Sequence, residues 1–272
     1  MSDCHRGDGS WGDNFSNNQN LFFAALTFYH QKNFTYIELG DGDELWANRK
    51  FQQITSVHSD TFWLMSNFHK KGKLYMLFGN HDMAKKNRSF VKNNCSSYYD
   101  DSINKHVPLF PNLKTYEGLI LKNTVTGNKI FLTHGHQVDF LNYDLWRLAR
   151  FLVRYLWRPL ELLGLHDPTS ANKNHAKKGT IEKKLMEWAT EKKQMIIAGH
   201  THRPVFPKIG EPLYFNDGSC VHPRCITAIE IENGTISLVK WTLKTKSDRT
   251  LYVGRVLLEG PVKLQDYFDE LL

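Results

Sequence analysis

Four short clusters rich in histidine, aspartate, asparagine and glycine carry the residue types that could bind a metal or move a proton. Each cluster directly follows a short apolar run that is typical of a β-strand. The clusters are 40–44, 79–82, 134–136 and 199–202, and the runs before them are 36–39, 74–78, 129–133 and 195–198. Because open α/β sheets bind ligands where their strands end, we expect the four clusters to converge in space.

The side chains of these clusters predict a metal centre. Asp and Asn supply hard oxygen donors and His supplies a borderline nitrogen donor, a combination that suits Zn, Mn or Fe. Cysteine is absent from all four clusters, which argues against a structural zinc site. One histidine after a strand is more often structural, so the prediction depends on several clusters occurring in order.

The sequence between and after the clusters predicts an α/β fold. Residues 17–32 and 50–69 carry apolar side chains at three- and four-residue spacings, as helices that cover a sheet do. After the last cluster, Asn233-Gly234 predicts a tight hairpin between two strands. The tail 251–272 ends in an acidic and apolar stretch that predicts a short helix.

Composition favours one domain with an anionic partner. The chain has 272 residues, of which 41% are hydrophobic, so it can bury a full core, and we expect a single domain over 1–272. It contains neither the roughly 20-residue apolar run of a membrane span nor a secretory pattern, so we expect a soluble, cytoplasmic protein. A formal charge of +7 favours phosphates, nucleic acid or anionic lipid as partners.

The four cysteines, Cys4, Cys95, Cys220 and Cys225, do not have the spacing of a disulfide framework or a zinc ribbon. We therefore expect reduced thiols. An alternative joins Cys220, His222 and Cys225 in a small metal or redox site.

The order of the clusters, with an Asp-x-His pair before them, resembles the calcineurin-like metallophosphoesterase superfamily. The resemblance spans 3–202 and rests on Asp3-Cys4-His5, Gly40-Asp41, Gly79-Asn80-His81-Asp82, His134-Gly135 and Gly199-His200-Thr201-His202. It implies a four-layer α/β/β/α sandwich with two divalent metal ions (Mn, Fe or Zn) at the sheet edge. A metal-bridging hydroxide would attack phosphorus.

The resemblance also implies which residues hold the metals. One metal would be bound by Asp3, His5, Asp41 and His202, and the other by Asp41, Asn80, His134 and His200. Asp41 would then bridge the two metals, which needs a carboxylate because both of its oxygens must donate. The segment 216–219 would pack beneath the site as a structural turn.

Catalytic and supporting roles follow from the same resemblance. His81 would act as a general acid or a transition-state stabiliser, with Asp82 as its orienting partner or as a cap of the following turn. Glu44 stands where the superfamily usually has Asp, so we expect it to hold a loop or a ligand rather than bind metal. Asp43 and His136 are expected to form turns or to support ligands.

The N-terminus departs from the superfamily. Its members normally deliver the Asp-x-His pair from the end of a buried strand, whereas Asp3 is the third residue here. We expect either a misplaced start codon or the loss of about six to ten residues of a typical strand. If the chain begins at Met1, the first metal would depend on a terminus that can fray and would be the weaker of the two.

Residues 140–179 form an insertion that is longer than usual connections. Its first half predicts an amphipathic helix broken near Pro159, and its second half predicts a polar loop. Arginines recur along the helix at Arg147, Arg150, Arg154 and Arg158.

Three interpretations of the insertion stay open. It could be a helix packed on the body, a lid whose arginines Arg147, Arg150 and Arg154 bind substrate phosphate, or a contact of 141–165 with anionic membrane. In placement, the lid resembles the helical insertion of bacterial UDP-2,3-diacylglucosamine pyrophosphohydrolases.

The favoured function is hydrolysis of a phosphodiester, pyrophosphate or phosphomonoester bond in a phosphorylated small-molecule or lipid-linked substrate. One alternative is a nuclease acting on DNA or RNA, although no separate nucleic-acid-binding module is evident. Another is a non-catalytic metal-binding scaffold, against which the complete ligand set argues. The sequence leaves the metal and the oligomeric state open.

Overall fold

The computed structural model describes residues 1–100, 103–139, 147, 150–151, 153–157 and 175–270, so most of the insertion 140–179 lies outside the described residues. Its α-helices are α1 (Gln19–Gln31), α2 (Phe51–Val57), α3 (Ser59–Lys70), α4 (Arg88–Asn94), α5 (His175–Glu191) and α6 (Leu264–Asp269). Short 3-10 helices cover Met83–Lys86 and His136–Val138, and a π-helical turn covers Val153–Trp157. Within these ranges, no helix combines the length and the apolar character needed to cross a membrane.

The described strands form three sheets and a separate hairpin. They are β1 (Tyr36–Leu39), β2 (Leu74–Leu77), β3 (Ser97–Asp100), β4 (Lys105–Pro108), β5 (Thr115–Tyr116), β6 (Gly118–Lys122), β7 (Lys129–Thr133), β8 (Met195–Ala198), β9 (Tyr214–Asn216), β10 (Cys225–Glu232), β11 (Thr235–Thr245) and β12 (Leu251–Lys263). One parallel sheet has the order β1-β2-β5, and a second sheet has the order β6-β7-β8-β9 with β6 antiparallel to its neighbour. The third, β10-β11-β12, is antiparallel, and β3 pairs with β4.

The predicted helices and hairpin are largely confirmed, with one interruption. The predicted helix 50–69 is divided at His58, whose backbone leaves the helical region with φ −107° and ψ 35°. The His58 ring is fully buried, with Nε2 2.8 Å from Asp13 Oδ2 and Nδ1 2.7 Å from Gln19 Oε1. These two contacts hold the His58 ring in the protein core. The helix is interrupted at this residue, so α2 and α3 form instead of one helix.

Three clusters of buried apolar side chains join the elements. The first joins α1 and α3 to the β1-β2 and β10-β11 strands, the second joins β1 and β2 to β7, β8 and β9, and the third joins α5 to β8 and β9. Apolar faces of helices and sheets are therefore covered by one another. The mixed α/β class is confirmed, and the four-layer order stays a prediction.

A cavity of about 700 Å³ lies between β1, β6 and β10, with mainly apolar side chains around it. None of the predicted metal ligands lines this cavity.

The four cysteines are free thiols, as predicted. In the described part of the chain, no group of three ligand atoms that could hold a metal includes Cys220, His222 or Cys225. The alternative metal site at these residues therefore gains no support.

Candidate metal centre

The predicted ligands lie on loops that directly follow strands. Asp41 follows β1, Asn80 follows β2, His134 follows β7, and His200 and His202 follow β8. These loops come together with residues 1–6, which carry Asp3 and His5. The convergence expected from the strand ends is thus observed.

The N-terminal segment 1–6 is buried and hydrogen-bonded on both sides. Asp3 N donates to Gly40 O at 3.1 Å and His5 N donates to Asp41 O at 2.9 Å. On the other side, Cys220 N donates to Asp3 O at 3.3 Å. Asp3 and His5 are therefore firmly held in this arrangement, in contrast to the fraying that the sequence suggested.

Five of the predicted ligands adopt the left-handed backbone conformation. Their φ values are 52° at Asp3, 48° at His5, 50° at Asp41, 68° at His200 and 54° at His202. For residues other than glycine this conformation costs about 1–2 kcal/mol each. Strained backbone concentrates at functional sites, where the surrounding structure must hold it in place.

Asp3, His5 and His202 form the first group of side chains that could hold a metal, with ligand atoms within 4.8 Å of one another. His202 Nε2 lies 2.9 Å from Asp3 Oδ1, and the two Nε2 atoms of His5 and His202 are 3.3 Å apart. Three donor atoms therefore face one point.

Asp41, His134 and His200 form the second group, within the same 4.8 Å. His134 Nδ1 lies 2.8 Å from the carbonyl oxygen of Leu39, to which it can only donate, so the neutral ring leaves Nε2 as an acceptor. That Nε2 lies 3.1 Å from Asp41 Oδ2, and the same oxygen is 3.9 Å from His5 Nε2 in the first group. Asp41 thus lies between the two groups and faces both of them through Oδ2. Its Oδ1 accepts a hydrogen bond from His81 N at 2.8 Å, so the expected use of both oxygens is not seen.

Four predicted ligand atoms are buried without a hydrogen bond. They are Asp3 Oδ1, Asn80 Oδ1, His134 Nε2 and His200 Nε2. Asp3 Oδ1 and His134 Nε2 lie close to His202 and Asp41, but without the geometry of a hydrogen bond. A buried polar atom left in this way costs about 1–3 kcal/mol, and native proteins contain few of them. Oxygen and imidazole donors of this kind suit a divalent cation, which would satisfy all four atoms at once.

The carboxylates of the two groups stay negative because of their neighbours. Burial would raise the pKa of Asp3 and of Asp41, but the charges of His202 and His134 hold both well below the usual range. Burial alone would lower the pKa of His134, yet the charges of Asp41 and Asp3 raise it to about 9. A bound cation would therefore compete with a proton on His134.

Glu44 is the carboxylate beside His81. Its Oε2 lies 2.7 Å from His81 Nδ1 and 3.2 Å from His5 Nδ1. The other oxygen, Oε1, accepts hydrogen bonds from the backbone N–H groups of Trp46 and Ala47 at 3.2 and 3.1 Å. Glu44 therefore holds its own loop through Oε1, and through Oε2 it contacts the predicted general acid. With His5 and His81 it also forms a third group of ligand atoms that could hold a metal, which the sequence did not suggest.

Trp46 covers one face of the His81 ring. The two rings are stacked, with centroids 4.3 Å apart and an interplanar angle of 22°. The His81 side chain is 24% exposed, whereas Trp46 is buried. His81 consequently lies at the open rim of the site with its ring plane fixed.

Asp82 does not lie at His81, which corrects the predicted pairing. Its buried carboxylate accepts hydrogen bonds from the N–H groups of Gly79 at 2.7 Å and Gly42 at 3.2 Å. Lys85 Nζ donates to it at 2.8 Å. Burial raises the pKa of Asp82 in spite of the Lys85 charge. The Asp82 carboxylate therefore points into the protein, where it accepts hydrogen bonds from the backbone of two loops and from a buried lysine.

Other residues near the clusters support the loops. Asp43 lies 2.7 Å from Arg6 Nε and 2.5 Å from Lys85 Nζ. Among the described residues, it is absent from the groups that could hold a metal.

Burial lowers the pKa of His136 well below its usual value, and the His136 ring lies 5.3 Å from the ring of His134. Asn216 Nδ2 donates to Gly199 O at 2.7 Å, which agrees with a structural role for 216–219.

Asp139 is a neighbour of the site that the sequence did not suggest. Its Oδ2 lies 3.7 Å from His200 Nε2. The residue follows the third cluster by three positions, and that spacing alone carried no signal for a contact with the fourth cluster.

The arginines proposed to bind substrate are only partly described. Arg154 donates from Nε to Trp46 O and from Nη2 to Leu45 O, both at 2.8 Å. Its guanidinium therefore holds the Trp46 loop, and its predicted contact with phosphate stays a prediction. Arg147 is exposed and Arg150 is half-buried, while Arg158 lies outside the described residues.

Comparisons with known proteins agree with this geometry. The sequence profile of the calcineurin-like phosphoesterase family matches residues 1–204. No curated protein matches the chain significantly.

Two solved structures show distant likeness. A conserved protein of Streptococcus pneumoniae TIGR4, described as a predicted phosphoesterase, shares 16% identity over 94% of both chains with a TM-score of 0.38. Vps29 of Chaetomium thermophilum shares 12% identity over 83% of this chain and 81% of its own, with a TM-score of 0.30. Scores this low carry no functional inference, whereas the family profile covers most of the chain. The chain therefore belongs to the calcineurin-like phosphoesterase family and is a metal-dependent phosphoric ester hydrolase.

Proposed function

We propose that the chain uses two divalent metal ions to hydrolyse a phosphodiester, pyrophosphate or phosphomonoester bond in a phosphorylated small-molecule or lipid-linked substrate. The observation that carries the proposal is the position of Asp41. Its Oδ2 is 3.1 Å from His134 Nε2 and 3.9 Å from His5 Nε2, so one carboxylate faces both groups of ligand atoms. A ligand shared by two metals requires such a position.

The proposed ligands are those implied by the sequence motifs. Asp3, His5, Asp41 and His202 would hold one ion, and Asp41, Asn80, His134 and His200 would hold the other. Support comes from the donor atoms that are buried without a hydrogen bond, which belong to both sets. Mn, Fe and Zn all accept oxygen and imidazole ligands of this kind.

The chain's own residues would orient the substrate and move the proton. When bound, two divalent ions supply a water of lowered pKa and positive charge that neutralises the phosphoryl oxygens. His81, at the rim, would donate a proton to the leaving oxygen. Glu44 would stabilise the charged form of His81 and fix its ring through Nδ1.

The experiment that tests the proposal is hydrolysis of a nitrophenyl phosphomonoester and of its phosphodiester counterpart by metal-stripped protein. Mn, Zn, Fe or Mg is then added back, and bound metal is counted by elemental analysis. We expect hydrolysis to return only with added metal, at about two ions per chain. Two bound ions without hydrolysis of either ester would favour the scaffold interpretation.

The variant that tests the bridging role is Asp41→Asn, since Asn tolerates the left-handed backbone that Asp41 adopts. We expect loss of activity and of bound metal with an unchanged circular dichroism spectrum. The control is Asp266→Asn, an exposed carboxylate in α6. Full turnover by Asp41→Asn would contradict the assignment.

A further inference from the structure

Five buried charged side chains form a network next to the candidate metal centre. They are Arg6, Glu38, Asp43, Asp82 and Lys85, each no more than 1% exposed. Arg6 donates to Glu38 from both terminal nitrogens, at 2.8 and 3.0 Å. Its Nε donates to Asp43 at 2.7 Å. Lys85 Nζ lies 2.5 Å from Asp43 Oδ2 and 2.8 Å from Asp82 Oδ2, so two cations are shared by three carboxylates.

The network is hydrogen-bonded to the backbone of two ligand loops. Asp82 Oδ1 accepts from Gly79 N at 2.7 Å, and Asp82 Oδ2 accepts from Gly42 N at 3.2 Å. Gly79 directly precedes Asn80, and Gly42 directly follows Asp41. One carboxylate therefore fixes the separation of the two loops that carry these ligands.

The loops that carry Asp41 and Asn80 are tightly packed at Gly42 and Gly79. A Cβ on Gly79 would collide with the Asp41 carboxylate, and a Cβ on Gly42 would collide with the carboxylate of Glu38 and with Arg6. Close packing of this kind transmits a small displacement instead of absorbing it. A shift of Asp82 would consequently move the loops of Asp41 and Asn80.

Stability alone does not account for the network. Burying charges costs several kcal/mol per ion, and apolar side chains of the same volume often stabilise a fold as well or better. Outer groups that orient metal ligands, in contrast, typically change metal affinity 10- to 100-fold. The hydrogen bonds of Asp82 to both ligand loops favour this second use.

We propose that Lys85 and Asp82 are positioning residues that set the distance between Asp41 and Asn80 and so the affinity for the second metal ion. Lys85 acts through Asp82, whose orientation it holds, and neither residue contacts the substrate. The inference rests on the proposed function, in which Asp41 and Asn80 share a metal.

The test is a titration of metal-stripped protein with Mn(II), followed by electron paramagnetic resonance. The free ion gives a six-line signal that reports each dissociation constant, and two neighbouring bound ions give an exchange-coupled signal. The variants are Lys85→Met and Asp82→Asn. The control is Lys86→Met, because Lys86 is the adjacent lysine and its side chain is 54% exposed.

We expect wild type and Lys86→Met to bind two Mn(II) ions with a coupled signal. Lys85→Met and Asp82→Asn should bind the second ion about 10- to 100-fold more weakly and lose most of the coupled signal. If Lys85→Met does not fold, Asp82→Asn decides the test. In that variant the charges of Arg6 and Lys85 are still balanced by those of Glu38 and Asp43, so we expect it to fold.

Two outcomes would overturn the inference, and they are distinct. A folded Asp82→Asn or Lys85→Met protein with both wild-type affinities and the coupled signal would show that the network only stabilises the fold, and the proposed function would stand. Fewer than two Mn(II) ions on wild type would remove the proposed function itself, and this inference with it.

Discussion

Glu44 Oε2 lies 2.7 Å from Nδ1 of His81, a contact between residues 37 positions apart in the sequence. Trp46, two residues further along, stacks on the same imidazole. The 40–44 loop and the turn after it therefore control both the hydrogen bond and the ring plane of the proposed general acid. Burial would raise the pKa of Glu44, but the charges of His81 and His5 hold it well below its usual value.

Glu44→Gln tests this contact. The amide keeps the shape but cannot stabilise a charged imidazole, so we expect kcat to fall about 10- to 100-fold with both metals retained. Steady-state kinetics and elemental analysis measure the two quantities. The control is Glu117→Gln, whose side chain is 41% exposed. An unchanged kcat would limit Glu44 to its backbone contacts with Trp46 and Ala47, and loss of metal would indicate that it acts through His5.

His81→Ala tests the proposed proton donor itself. We expect about a 10²- to 10⁴-fold loss of rate, which is the usual contribution of general acid catalysis. The loss should be largest for substrates with poor leaving groups, because these need the proton most. A series of aryl phosphodiesters with different leaving-group pKa values measures the dependence. An equal loss across the series would argue for charge stabilisation by His81 instead of proton donation.

The ligand loops could be read from the sequence because their signal is local. A short apolar run followed by Gly, Asp, Asn or His specifies a strand end and a polar loop at once, as at Asp41 and His134. The orientation of the Asp82 side chain, in contrast, is not determined by its neighbours in the sequence. It depends on Gly42, which lies 40 residues away, and on Lys85, whose buried amine nothing in the sequence distinguished from the exposed Lys86.

The same contrast holds for the fold. Asn233 and Gly234 have φ values of 50° and 77°, as their residue types predicted for a tight hairpin between β10 and β11. The break at His58 was missed because it depends on tertiary contacts with Asp13 and Gln19. The charge and spacing of Arg154 suggested a contact with phosphate, but they could not reveal its hydrogen bonds to the carbonyl groups of Trp46 and Leu45 on another loop.

Arg154→Ala tests whether the insertion affects the site through Trp46. Arg154 donates to Trp46 O and Leu45 O, so its loss should loosen the indole that covers His81. We expect kcat to fall about tenfold, the equivalent of one charged hydrogen bond of about 1.5 kcal/mol, with little change in KM. Arg88→Ala, at an exposed position in α4 outside the predicted site, should change neither constant. A salt-dependent rise in KM for Arg154→Ala would instead support the predicted contact with substrate phosphate.

Asp13 should make stability depend on pH independently of the metal centre. Its buried carboxylate lies 2.8 Å from His58 Nε2 and accepts hydrogen bonds from Gly9 N at 2.9 Å and Phe15 N at 3.1 Å. Burial would raise the pKa of Asp13, but the hydrogen bonds from His58 and Gly9 and the charge of His58 lower it. A folded-state pKa below the unfolded value of about 3.9 means that the stabilisation is complete above that value and is lost as the pH falls through the folded-state pKa.

Asp13→Asn should therefore lower the free energy of unfolding by about 1.5–3 kcal/mol at pH 7, because hydrogen bonds to a charged group are replaced by weaker ones. The difference from wild type should shrink at low pH, below the unfolded-state value of about 3.9, as the wild-type carboxyl group itself becomes protonated. Urea unfolding of metal-stripped protein at both pH values measures this, since bound metal would add its own pH dependence. Asp266→Asn, at an exposed carboxylate, is the control. A difference of the same size at pH 7 and at low pH would mean that Asp13 acts through its shape and not through its charge.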